Sequence, residues 1–137
     1  MTSEPMSQIR VLLLEDEALV RWTGRRTLEE MGCLVIEAET CQEAEEEWKR
    51  GGFDVVVLDY RLPDGVSVDV AGRMRVRGNN EPLIFLTAET EKIGDVEAAS
   101  LGAVAVLRKP LNVKDLKNAN TQLMYTNSTS FFQQHLC

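Results

Sequence analysis

Five polar residues stand just behind short apolar runs: Glu15 and Asp16 after IRVLLL, Asp59 after FDVVVL, Thr87 after PLIFL, and Lys109 one residue beyond AVAVL. Three carboxylates gathered at one place repel one another unless a cation neutralises them, and clustered hard oxygens suit Mg2+, with Mn2+ as an alternative. Mg2+ takes few carboxylates and keeps positions for water and phosphate oxygens, so the set fits phosphoryl transfer better than a closed structural site. One of the three acids is then free to be the nucleophile. A lysine across the site adds fixed positive charge, and a threonine hydroxyl can hydrogen-bond a phosphoryl oxygen.

That chemistry requires elements that carry all five residues to one edge. Residues 9–14, 33–38, 53–58, 82–86 and 103–107 have the length and branched apolar content of buried strands. Between them the spacing turns helical. Val20, Gly24, Leu28 and Met31 share a face before a stop at Gly32, and Cys41, Ala44 and Trp48 share another before Gly51 and Gly52. Thr40 and Glu43 have capping-box spacing at the start of that second helix. Leu62-Pro63-Asp64-Gly65 reads as a turn, Val70 and Met74 mark a third helix, and Ile93, Val96 and Ala99 mark a fourth ending at Gly102. Val113, Leu116, Ala119 and Leu123 mark a fifth. Strands alternating with helices predict an α/β fold, a doubly wound five-stranded parallel sheet with helices on both faces, because parallel neighbours need crossover connections. Ligands bind such sheets beyond the carboxyl ends of the strands, where the five polar residues stand.

Composition narrows the partners. The 137 residues amount to one domain, and 22 acids against 15 bases give a net charge of -7. A field of that sign repels phosphate backbones and anionic lipid, which argues against direct nucleic-acid binding. No apolar run approaches a membrane span, the start of the chain lacks a signal-peptide core, and Cys33, Cys41 and Cys137 form no CxxC pair. These features predict a cytoplasmic protein with no membrane association. His135 is the only histidine, and neither GxxxxGK[ST] nor GxGxxG occurs.

Asp16, Asp59, Thr87 and Lys109 follow one another at intervals of 43, 28 and 22 residues, within LLLEDE, VVVLDYRLPDG, LIFLTAE and GAVAVLRKP. In these segments the chain resembles the receiver domain of two-component response regulators, the CheY-like superfamily, over residues 8–124. The resemblance implies a flavodoxin-like strand order of 2-1-3-4-5. It implies that Asp59 accepts a phosphoryl group from a histidine kinase or histidine phosphotransfer protein. Glu15, Asp16, Asp59 and the main-chain carbonyl of Arg61 correspond to the Mg2+ ligands, Thr87 to the switch hydroxyl, and Lys109 to the phosphoryl-binding lysine, often followed by a cis proline bond. By the same resemblance the chain is a signalling domain that assists its own phosphotransfer and dephosphorylation, not an enzyme acting on a separate substrate. A homodimer through helix four, strand five and helix five is a further expectation.

Two positions depart from the family pattern. Val106 stands where an aromatic is frequent, three residues before the lysine, and Glu15 stands where aspartate is usual. Residues 1–7 read as a polar leader and 125–137 as a tail without a clear period. With no further domain after residue 124, the expectation is a receiver standing alone or cut from a longer chain. A haloacid-dehalogenase-type hydrolase also pairs an Asp nucleophile with Mg2+ but wants a second Asp two residues on, where this chain has Arg61. A receiver reduced to an interaction module would have no need of Asp16, Asp59 and Lys109 together.

Overall fold

The structure, a computed structural model, describes residues 8–88 and 94–123, with backbone alone at residue 95 and over 119–123. In chain order the elements are β1 (Arg10–Leu14), α1 (Ala18–Glu30), β2 (Leu34–Ala38), α2 (Cys41–Arg50), β3 (Val55–Asp59), β4 (Arg61–Leu62), β5 (Gly65–Val66), α3 (Ser67–Val76), β6 (Leu83–Thr87), α4 (Asp95–Ser100), β7 (Ala103–Arg108) and α5 (Val113–Leu123). Five parallel strands lie in the order β2-β1-β3-β6-β7, which is 2-1-3-4-5 when the small hairpin is left out of the numbering. The doubly wound sheet expected from the alternation of elements is therefore present.

Side chains alternate across each strand, so the sheet divides the interior in two. Leu12, Leu14, Val56, Leu58 and Phe85 pack with Trp48 of α2 and Met74 of α3. Val11, Leu13, Val55, Val57, Ile84 and Leu86 pack with Leu28 of α1 and Leu116 of α5. With both faces covered, a central strand has no polar side, which explains the unbroken apolar runs. Trp48 is fully buried, and its indole N–H donates to Glu81 Oε1 at 3.0 Å. Gly24 lets α1 approach the sheet closely, since a Cβ there would stand 3.4 Å from Leu13.

Two details differ from the sequence expectation. The segment read as a turn carries its own ladder, with Arg61 opposite Val66 and Leu62 opposite Gly65, and Gly65 has a φ of 148°. The inward face of α4 is not the expected one: Ala98 is buried, whereas Val96 is 84% exposed and Ala99 is exposed. A helix of six residues turns fewer than two times, too little for a hydrophobic period to fix its phase. Ile93 and the tail lie outside the described residues, as do the leader positions 1–7. Among the described residues no helix is long and apolar enough to cross a membrane.

Candidate functional site

The order of the strands reverses at β1, which has β2 on one side and β3 on the other, so loops diverge beyond the ends of β1 and β3 and leave a crevice. Glu15 and Asp16 leave β1 at that crevice, and Asp59 ends β3 beside it. One carboxylate oxygen from each of the three lies within 4.8 Å of the others. Glu15 and Asp59 are 1% exposed, Asp16 is half-buried, and Thr87, which ends β6, is 4% exposed.

Lys109 enters from the end of β7. Its ammonium donates to Asp59 Oδ2 at 2.8 Å and stands 3.0 Å from Glu15 Oε1, an ion-pair distance without a directed hydrogen bond. The Lys109 N–H donates to the Thr87 carbonyl at 3.0 Å, which holds the main chain there; the Lys109-Pro110 bond is cis. The second Glu15 oxygen accepts from the Glu17 N–H at 2.9 Å. Asp59 Oδ1 is buried with no hydrogen-bond partner.

The electrostatics follow from this crowding. Burial, reinforced by the charges of Glu15 and Asp16 and opposed by Lys109, pushes the Asp59 carboxyl up to about 7. Burial alone would lower Lys109, but its hydrogen bond to Asp59 and the negative charges of Asp59 and Glu15 outweigh that and hold the ammonium above its ordinary value. One lysine cannot neutralise three carboxylates, and an orphaned buried oxygen has lost water without replacement. Both observations fit a hard divalent cation bound by Glu15, Asp16 and Asp59.

Arg61 follows at the start of β4, with its side chain exposed and its guanidinium over the Tyr60 ring at 5.6 Å. The chain around it is tied back: the Tyr60 N–H donates to the Leu86 carbonyl, and the Ser67 N–H and hydroxyl both donate to the Tyr60 carbonyl. Two residues that sequence reasoning missed also shape the loops. Asp64 accepts from the Cys41 and Gln42 N–H groups at 2.9 and 3.1 Å, joining the hairpin to the start of α2. Arg21 donates to the Glu15 carbonyl at 2.9 Å. Arg21 has a sequence signal, since it lies one turn into a helix and helical side chains lean toward the N-terminal loop. Asp64 lies 22 or more residues from its partners and has none.

This geometry defines a doubly wound α/β protein with an acidic, lysine-bridged site at its topological switch point. The sequence profile of the response regulator receiver domain matches residues 11–121, and the chain belongs to that family, whose general role is to accept a phosphoryl group in two-component signalling. Relatives include the alginate biosynthesis transcriptional regulatory protein AlgB of Pseudomonas aeruginosa, 36% identical over 86% of this chain and 26% of that protein. The aerobic respiration control sensor protein ArcB of Escherichia coli is 37% identical over 82% of this chain and 15% of its own length. The chain thus spans well under half of either relative. Among solved structures, the non-phosphorylated HemR receiver domain of Leptospira biflexa has a TM-score of 0.75 at 32% identity, covering 88% of this chain and 97% of that one. The response regulator TrrA of Thermotoga maritima, solved in complex with Mg2+-BeF, has a TM-score of 0.73 at 28% identity, covering 84% of this chain and 98% of that one.

Proposed function

We propose that Asp59 is the phosphoacceptor of this receiver, taking its phosphoryl group from a phosphohistidine on a histidine kinase or histidine phosphotransfer protein. The observation that carries the reading is the pairing of Asp59 with Lys109 at 2.8 Å inside the carboxylate triad, with Asp59 Oδ1 left free of any protein partner. An Asp59 oxygen forms the new P–O bond as the P–N bond of the donor breaks, and the imidazole departs with the electron pair. Glu15, Asp16 and Asp59, with the Arg61 carbonyl, would hold Mg2+, or Mn2+ in its place. When bound, the ion supplies charge neutralisation for phosphoryl oxygens.

Lys109 already sits against the oxygen it must release, so its ammonium is placed to follow charge from carboxylate to phosphoryl group. Thr87, one residue beyond the register partner of Asp59 on β6, offers its hydroxyl to that group. The same residues serve hydrolysis of the acyl phosphate, so the domain assists both gain and loss of its own phosphoryl group. The unit extends over residues 8–124, acts in the cytoplasm, and reaches its output through protein contacts, its net charge of -7 opposing direct nucleic-acid binding. A second copy is accommodated on α4, β7 and α5, where Val96, Val106 and Val113 are exposed.

The test is incubation with a small phosphodonor and Mg2+, read by intact mass. One phosphoryl group is expected on the parent and none on Asp59→Asn. Equal uptake by the two proteins overturns the assignment.

A further inference from the structure

Glu15 and Asp16 lie on the loop between β1 and α1; the Glu15 N–H donates to the Ala38 carbonyl at the end of β2 at 3.0 Å, which leaves the carbonyl side of both residues to be held by other groups. Those carbonyls are held by the side chain of Arg21, which is only 13% exposed. Its Nη1 donates to the Glu15 carbonyl at 2.9 Å and to the Asp16 carbonyl at 3.4 Å. Its Nε donates to Glu37 Oε1 at 2.7 Å, and its Nη2 lies 3.6 Å from Glu39 Oε2. Glu37 belongs to β2, is paired with Leu13 of β1 in the sheet, and is gripped a second time by Arg25. One planar guanidinium therefore ties the acidic loop to the neighbouring strand. Fixing two successive carbonyls fixes the peptide planes on which both acids are carried, and so the directions in which their side chains leave the chain.

We propose that Arg21 is a positioning residue for the cation site: its fork holds the Glu15 and Asp16 carbonyls against β2 and thereby aims both carboxylates at Asp59. The inference rests on the reading of Glu15, Asp16 and Asp59 as Mg2+ ligands. Lysine is no substitute, because a single nitrogen cannot serve Glu37 and two carbonyls in a fixed plane.

Charge and position act here with opposite signs. Deleting a cation beside a dication site strengthens the attraction of the remaining acids for Mg2+, whereas loosening the loop weakens binding. Mg2+ alone is titrated calorimetrically into the full chain, Arg21→Ala, Arg21→Lys and Asp16→Ala, with the amide spectrum of each confirming its fold. Arg21→Ala is expected to bind Mg2+ about tenfold more weakly, in line with loss of a group that orients metal ligands. Arg21→Lys is expected to be weakened as well, and it decides the matter if the alanine variant does not fold. Unchanged or tighter binding in a folded Arg21→Ala, or parental affinity in Arg21→Lys, overturns the positioning role alone. A parent without Mg2+ affinity, or an Asp16→Ala that binds as the parent does, overturns the metal reading and this inference with it.

Discussion

Asp59 must be ionised to act as a nucleophile, yet it sits where burial and two neighbouring acids oppose ionisation. Without a cation its carboxyl is raised to about 7 from an ordinary 3.8, so its contribution to folding stability is intact below the ordinary value and is lost as pH rises toward 7. Asp59→Asn keeps an acceptor for Lys109 and removes that loss. In Mg2+-free buffer the stability of the variant relative to the parent should rise between pH 5 and pH 8, by on the order of 2 kcal/mol. A melting-temperature difference that shrinks with pH would contradict the electrostatics of the site. Asp59, Glu15, Asp16, Thr87 and Lys109 were legible in the sequence because a polar residue directly after a buried run has only the sheet edge to occupy. Asp64 was not, because it accepts from main-chain N–H groups far along the chain, and a main-chain partner leaves no mark on residue type; Arg21 was marked only by its place one turn into α1.

The same principle governs the start of α2, where the first N–H groups of the helix need acceptors from outside it. Thr40 Oγ1 accepts from the Glu43 N–H at 3.1 Å, as the capping-box spacing implies, but the Glu43 carboxylate reaches the Glu39 N–H and not that of Thr40. Asp64 satisfies the two remaining donors from across the hairpin, and the Cys41 N–H foremost holds its carboxylate below the usual range. Thr40→Ala and Asp64→Ala should each cost about 1 kcal/mol in urea unfolding at pH 7. Because the carboxyl of Asp64 is depressed in the fold, its share is present above the ordinary carboxylate value and fades as pH falls through it. The Asp64→Ala deficit should therefore narrow in acid while the Thr40→Ala deficit persists; parallel behaviour of the two would remove Asp64 from the cap. The five main strands were readable from their apolar runs to within about two residues at either end. The β4-β5 hairpin was not, since two-residue strands are too short to show a period of two.

At the scale of the molecule, the order β2-β1-β3-β6-β7 leaves β7 at an edge, joined to the site through β6 and Lys109. Thr87 lies opposite Arg108 in the ladder, and its carbonyl holds the Lys109 N–H, so a pull on the Thr87 hydroxyl acts on the strand that carries the lysine. A receiver with an aromatic at position 106 has a ring to report that movement, whereas Val106, 41% exposed and opposite Phe85, has neither ring nor reach. The expectation is that the signal leaves through the backbone of β7 and of α4, which packs on β7 and buries Ala98. Coupling of this kind needs only about 1–3 kcal/mol of difference between the two states. Loading the protein with beryllofluoride and Mg2+ as a phosphoryl mimic should shift amide resonances over residues 94–108. Thr87→Ala should still accept a phosphoryl group on Asp59 while showing smaller shifts in that range. An unperturbed range in the parent, or undiminished shifts in Thr87→Ala, would rule out this route from the site to the edge strand.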